Sequence, residues 1–154
     1  MSKISVCDPA CGSGAFLLGA YQFLLDWHTT YYQKQKQDKT ISAAIRAKIP
    51  LTSNEKLTTD EKKRILINNI YGVDIDAQAV EITKLSLLMQ CLAVDAGLKA
   101  REKYTHLLPN IDFNIRCGNS LINNGKALQR DTVGQPFSWE LSFPQIFAET
   151  LFSN

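Results

Sequence analysis

Nothing in this chain constrains its fold more than the string Asp8-Pro9-Ala10-Cys11-Gly12-Ser13-Gly14-Ala15-Phe16. Before it, Ile4-Ser5-Val6-Cys7 reads as a short buried strand. After it, Leu17, Leu18, Ala20, Tyr21, Leu24 and Leu25 recur at the period of a helix with one apolar face. A strand, a glycine turn and a helix in this order present free backbone amides and the positive end of a helix dipole to one spot, which suits an anion. Gly12 and Gly14 allow close approach and can take a positive φ. Asp8 closes the strand with an acid, so the ligand must also offer a cation or hydroxyls.

Three glycine-loop chemistries compete. A phosphate-binding loop needs G-x-x-x-x-G-K-[ST]. Gly14 and Gly19 have that spacing, but Ala20 and Tyr21 stand where Lys and Ser/Thr belong. A dinucleotide turn needs G-x-G-x-x-G, and Leu17 occupies its third glycine position. The third option is S-adenosylmethionine, whose amino-acid end is a zwitterion; an acid beside a glycine turn serves its ammonium and carboxylate together. A turn that merely closes a strand-helix junction is the plainer explanation for two glycines, and a poor one for nine specified residues.

With Leu17 and Leu18 the string resembles the D-P-x-x-G-S-G cofactor motif of adenine-specific DNA methyltransferases. The likeness is to the large single-chain type II restriction-modification enzymes and related phage-defence methyltransferases. It implies S-adenosylmethionine as cofactor and places Asp8, Pro9, Ala10, Gly12, Ser13, Gly14 and Phe16 at its site.

Hydrophobic content of 45% and charged content of 21% over 154 residues are those of one globular domain. No apolar run nears the roughly 20 residues of a membrane span, no secretory signal opens the sequence, and a cytoplasmic location is expected. Cys7, Cys11, Cys91 and Cys117 match no zinc spacing and read as small apolar residues; no metal site is expected. The charge is uneven: Lys34 to Arg64 holds nine Lys/Arg against four Asp/Glu, a local +5 in a chain of +2. Such a stretch can lie along DNA phosphates, although a solvated face of surface helices is the commoner outcome.

In order, a helix runs from Ala15 to about Gln35 and ends in the aromatic run Trp27 to Tyr32, which packs or serves as a partner surface. His28 and His106 have no acid or cysteine at triad or ligand spacing, so neither receives a role. A basic helical insertion covers about 33–66, with a weak helix at 41–49 closed by Pro50 and a second helix capped by Thr59 or Asp60, ending near Asn69. Ile70 to Asp76 reads as the second strand. Asp76 caps a helix from Ala77 to about Gly97 whose apolar face holds Val80, Leu85, Leu87, Leu88, Leu92 and Val94. Ile111 to Cys117 reads as the third strand. Phe137 to Pro144 alternates and reads as a strand or an extended arm.

Three strands separated by helices indicate an α/β parallel sheet, and in such sheets ligands bind beyond the carboxyl ends of the strands. The turns at Asp8, Asp74 and Asn119 all belong on that rim. Asp74 stands where an acid accepts hydrogen bonds from a ribose diol, Ile75 where it lies against adenine, and Asn119 suits the adenine amino group and ring nitrogen. Taken singly, Asp74 is a strand-end acid and Asn119 an Asx-turn.

The resemblance continues here. Tyr71 to Asp76 with Ala79-Val80-Glu81 and Lys84 to Leu87 looks like the family's second motif, and Cys117 to Ile122 like its third, where the family often has Asp in place of Asn119. Ser120 joins the implied site. Phe137 to Phe147 is similar to the segment preceding the family's catalytic strand. The implied fold is a partial, Rossmann-like S-adenosylmethionine-dependent methyltransferase domain over 1–154, with three parallel strands and flanking helices. No Asn-Pro-Pro, Asp-Pro-Pro or Ser-Pro-Pro occurs, whereas the family holds a flipped adenine with Asn-Pro-Pro-Tyr/Phe. The expectation is therefore the cofactor-binding part of a DNA adenine-N6 methyltransferase with no catalytic residue of its own, inactive alone. DNA would be met through the full-length enzyme, and self-association would run through an open sheet edge. The alternative is a non-catalytic nucleotide- or DNA-binding module of the same fold.

Overall fold

A three-stranded parallel sheet organises the chain. The computed structural model describes residues 4–92, 108–122 and 136–147. Their order is β1 (Val6–Asp8), α1 (Ala15–Gln37), α2 (Ala43–Arg46), α3 (Thr59–Asn69), β2 (Ile70–Asp74), α4 (Ala77–Leu92), β3 (Ile115–Cys117), α5 (Trp139–Ser142) and α6 (Pro144–Phe147). The strands lie in the order β1-β2-β3. Val6 pairs with Ile70 and Asp8 with Gly72; Gly72 pairs in turn with Ile115 and Asp74 with Cys117. This register brings the ends of all three strands to one rim.

Alternation across the strands sorts the sheet's two faces. Ile70 and Ile115 are buried under the long helices with Leu17, Tyr21, Leu24, Ile65, Leu66, Val80 and Leu87. Each such side chain contributes roughly 1.5–3 kcal/mol on burial. Tyr71 and Val73 face the other way, against Phe137 and Phe143, with Trp139, Ile146 and Phe147 packed around them. Gly72 is glycine because of that crowding: a Cβ there would lie 2.7 Å from Leu17 Cδ1 and 3.2 Å from Cys11.

Several boundaries differ from the sequence expectation. The first strand starts at Val6 because the Ile4 carbonyl is taken by the Asn69 side chain at 2.5 Å rather than by the ladder. The second stops at Asp74, whose Oδ1 accepts the Asp76 amide at 2.9 Å and turns the chain. The third is shorter than Ile111–Cys117: the Asn114 amide donates to the Ile111 carbonyl, making a turn, and Asn114 Nδ2 donates to the carbonyls of Ile67 and Ile70. Thr58, not Thr59 or Asp60, caps α3. In α4 Leu85 is 60% exposed, off the buried stripe of Val80, Thr83, Leu87 and Cys91. Phe137 to Pro144 is neither strand nor extended arm; Ser138 Oγ accepts from the Leu141 amide and starts a helical turn. Val94, Gly97 and His106 lie outside the described residues. No described helix is long and apolar enough to cross a membrane.

Most of the basic stretch is solvated: Lys34, Lys36, Lys39, Lys48 and Lys56 are exposed, whereas Lys62 is buried and Arg64 pairs with the buried Glu61.

Candidate functional site

The rim is held together by backbone hydrogen bonds that converge on Asp74. Its Oδ2 accepts the Gly12 amide at 2.7 Å, its Oδ1 accepts the Asp76 amide, and its carbonyl accepts the Gly118 amide at 2.9 Å. The Cys11 amide donates to the Val73 carbonyl at 2.9 Å. One strand end thus ties the glycine turn on one side to the third turn on the other. Each carboxylate oxygen has two acceptor sites, so Asp74 keeps capacity for hydroxyls after bracing both loops.

Both glycines of the turn use the freedom only glycine has: φ is +52° at Gly12 and +84° at Gly14. Gly14 is the residue before α1, and α1 begins with no side-chain cap and no acid in its first turn. Its first amides have no intrahelical acceptor. Asp8 Oδ1 accepts the Ala10 amide at 3.0 Å, which shapes the turn's entry around Pro9. Ser13 is exposed at its crest.

Two apolar side chains stand out from this polar rim, Phe16 at 61% exposure and Ile75 at 47%. Phe16 follows the glycine turn that Asp74 braces, and Ile75 lies inside the turn that Asp74 makes with Asp76. Asn119 forms the Asx-turn: its Oδ1 accepts the Leu121 amide at 3.1 Å. Ser120 offers its carbonyl to the indole of Trp139 at 3.2 Å. All of the sequence-predicted site residues therefore lie on the three linked turns or, for Phe16, in the first turn of α1.

Sequence reasoning missed the residues that hold these turns. Thr83 is fully buried on α4; its hydroxyl donates to the Gly12 carbonyl at 2.8 Å and sits where a Cβ on Gly14 would go, also 2.8 Å away. A hydroxyl residue on the buried stripe of an otherwise apolar helix is the signal that marks it. Phe137 fills the space that a Cβ on Gly118 would need, at 2.7 Å. Burial, then Asp74 and Asp8, push the Cys11 thiol up to about 11; burial and then Asp8 do the same to Cys7. Both stay protonated at neutral pH, which removes them as nucleophiles.

No three His, Cys, Asp or Glu side chains among the described residues meet as a metal site. A crevice of about 240 Å³ lies between α1, Lys56–Leu57 and α4, and another of about 320 Å³ between α4 and residues 109–112; neither is lined by the rim.

Residues 1–136 match the family described as MmeI, DNA-methyltransferase domain. The chain is 38% identical over 122 residues to a Methanocaldococcus jannaschii protein named as a type II restriction enzyme and methyltransferase, covering 79% of this chain and 9% of that one. It is 33% identical over 126 residues to the type II restriction enzyme and methyltransferase RM.Eco57I of Escherichia coli, covering 82% and 12%. It is 25% identical over 138 residues to the adenine-specific methyltransferase BrxX of Escherichia coli O9:H4, covering 88% and 10%. The chain thus spans about a tenth of the length of these curated relatives. No solved structure matches it significantly.

Proposed function

This chain belongs to the MmeI DNA-methyltransferase domain family, and on that premise we propose that it forms the S-adenosylmethionine-binding part of a DNA adenine-N6 methyltransferase of restriction-modification type. The observation that carries the proposal is the bracing of the glycine turn and the third turn by Asp74, with an uncapped helix start and exposed Phe16 and Ile75 beside it.

The residues present fit such a cofactor. Space above Gly12 is open, with nothing within 4 Å of where a Cβ would stand. The first amides of α1 and the Ser13 turn suit a carboxylate, and Asp8 suits an ammonium. Asp74 has acceptor capacity for a ribose diol, and Ile75 has exposed apolar surface for a flat base. Asn119 and Ser120 supply polar groups at the base's edge. When bound, the cofactor supplies an activated methyl group on a sulfonium. The protein's own part is to hold the two ends of that molecule and keep the rim rigid, the latter through Thr83 and Trp139.

No Asn-Pro-Pro string occurs in the sequence, and the part these residues play is to bind the cofactor. The domain is taken as 1–154 with its basic insertion at about 33–66. DNA is the macromolecular partner, reached as part of a larger enzyme, in the cytoplasm.

Calorimetry with S-adenosylmethionine and with its demethylated product tests the proposal. Binding of both, weak but saturable and lost in Asp74→Ala, is the expected result. Binding of DNA without any adenosyl ligand would favour the non-catalytic module instead.

A further inference from the structure

We propose that the basic surface formed by the end of α1, α2 and the turn before α3 binds the phosphate backbone of duplex DNA without reading its sequence, at a place separate from the cofactor rim. The choice of DNA rests on the function proposed above; the surface itself does not.

The segment from Lys34 to Lys56 holds six Lys/Arg against two Asp/Glu, a local +4 in a chain of +2. Folding gathers it into one cluster. Gln33 Nε2 donates to the Glu55 carbonyl at 3.1 Å, which brings the turn at 52–56 against the end of α1. Leu51 bridges to Leu57, and the Thr52 amide donates to the Lys56 carbonyl at 2.7 Å, closing that turn. The Thr40 hydroxyl and amide, and then Arg46 of α2, hold the Asp38 carboxyl below its usual range, so α2 sits beside the end of α1.

The fold leaves these charges without partners of its own. Lys34, Lys36, Lys39, Lys48 and Lys56 are exposed, and among the described residues neither they nor Arg46 form an ion pair. The bases of α3 behave differently: Arg64 pairs with Glu61 at 2.6 Å, Lys63 lies 3.6 Å from Asp60, and Lys62 is buried. Lys34 and Lys36 complement the negative end of the α1 dipole. Lys39, Lys48 and Lys56 stand outside the helices and have no such role. Gln37, Ser53 and Asn54, exposed between them, add the neutral donors that phosphate oxygens also take.

Such a surface is unsuited to burial against another protein domain. Lysine is depleted in the cores of protein interfaces, and taking an ammonium out of water is costly unless it is paired. A hydrated cluster of ammonium groups suits a polyanion that keeps its own water and gains by releasing its counterions. The rim is far off: Lys36 lies about 30 Å from Ala15 along α1, at about 1.5 Å per residue. The surface therefore holds DNA away from the cofactor, and its contacts carry affinity rather than specificity.

Fluorescence anisotropy of the 154-residue chain with labelled duplexes, between about 50 and 200 mM salt, tests this. Two duplexes of unrelated sequence should bind alike, with Kd of roughly 1–100 μM and a slope of log affinity on log salt of about −4, as for four to five neutralised phosphates. Lys36→Gln, Lys39→Gln and Lys48→Gln together should weaken binding about tenfold or more and make the slope shallower by about 3. Ile82→Glu, Leu85→Glu and Met89→Glu together, an equal change of charge on the exposed face of α4, should leave the slope as it was. Saturating S-adenosylmethionine should not alter the duplex affinity. No binding, a slope near zero, equal losses in the two triple variants, or an affinity that depends on S-adenosylmethionine would overturn the inference. So would tighter binding of polyglutamate, which would make the surface one for an acidic protein, or of double-stranded RNA. A chain that binds S-adenosylmethionine and no duplex leaves the proposed function standing and sinks this inference. A chain that binds the duplex as expected and no adenosyl ligand keeps the surface and sinks the cofactor reading.

Discussion

The starts of α1 and α3 solve the same local problem in opposite ways. Every helix opens with amides that have no intrahelical acceptor. At α3 the Thr58 hydroxyl accepts the Glu61 amide at 3.3 Å, and Asp60 and Glu61 place negative charge in the first turn. At α1 there is a left-handed glycine, no side-chain cap and no acid. α4 follows α3: Asp76 Oδ1 accepts the Gln78 amide at 2.8 Å. A missing cap costs about 1 kcal/mol, so helix stability alone would not select the start of α1. Among the described residues, the one long helix with neither a side-chain cap nor an acid in its first turn is α1, which opens from the glycine turn that Asp74 braces through the Gly12 amide. Where local stability and local geometry disagree, the disagreement marks the place where a ligand is expected to complete the structure.

The sharpest way to break this contrast is to give the α1 start a side chain. In Gly14→Ala the new Cβ would stand 2.8 Å from Thr83 Cγ2 and Oγ1, at φ +84°. Thr83 is fully buried and bound to the Gly12 carbonyl, so it cannot swing away. The left-handed conformation costs roughly 1–2 kcal/mol and the overpacking roughly 1–3, so a loss of about 3 kcal/mol is expected in urea unfolding. Gly12→Ala meets nothing within 4 Å at φ +52°. It should cost about 1 kcal/mol, yet its methyl would stand at the rim and abolish adenosyl-ligand binding in calorimetry. Equal stability losses in the two variants would show that the turn is merely a tight junction.

How much of this was legible beforehand follows the same divide. The sheet, the order of the long elements and the three rim turns could be read because each rests on local chemistry: glycines in a turn, acids at strand ends, apolar periodicity. Strand ends were misjudged because contacts from elsewhere fix them. Asn69 takes the Ile4 carbonyl, and Asn114 serves the end of α3 rather than its own strand. Thr83 was missed because it acts 71 positions from the carbonyl it holds. Phe137 to Pro144 alternates like a strand, but Ser138 provides a helix cap and Phe143 a buried anchor on Tyr71, with ring centroids 5.4 Å apart. Thr58 and Glu61 carry the spacing of a capping box, yet Glu61 turns its carboxylate to Arg64 and Tyr32 instead of back to the cap.

That use of Glu61 makes the α3 start sensitive to acid in a way the α1 start is not. Burial opposes the charge of Glu61, but Arg64 and Tyr32 outweigh it and hold the carboxyl below its usual 4.5. Its stabilisation is therefore present above pH 4.5 and lost as pH falls through the lower folded value. His28 packs against Tyr32, with neither ring nitrogen hydrogen-bonded. Burial, then Arg64, holds it below 6.5, so the unfolded chain takes up its proton first and stability also falls as pH drops below 6.5. Urea unfolding between about pH 7 and 4 should show both losses. His28→Leu should remove the one that begins near 6.5, keep the one below 4.5, and raise stability at neutral pH by on the order of 1 kcal/mol. An unchanged pH profile in that variant would mean that His28 does not titrate on unfolding.

Smaller again is the direct exchange of properties between the two helices. Thr58→Ala removes the α3 cap and should cost about 1 kcal/mol with no change in ligand affinity, since α3 contributes nothing to the rim. Ala15→Glu does the reverse to α1, where residue 15 is exposed in the first turn. A carboxylate there complements the helix dipole and should stabilise the fold by roughly 0.3–1 kcal/mol. The same charge competes with the ligand's carboxylate for the same amides, so calorimetry should show weaker binding of the adenosyl amino acid, while adenosine, which has no carboxylate, binds as before. Stability rising as affinity falls, in one substitution, is the signature of amides kept free for an anion. A variant that binds the amino-acid ligand unchanged would place the carboxylate elsewhere and leave the uncapped start of α1 without a function.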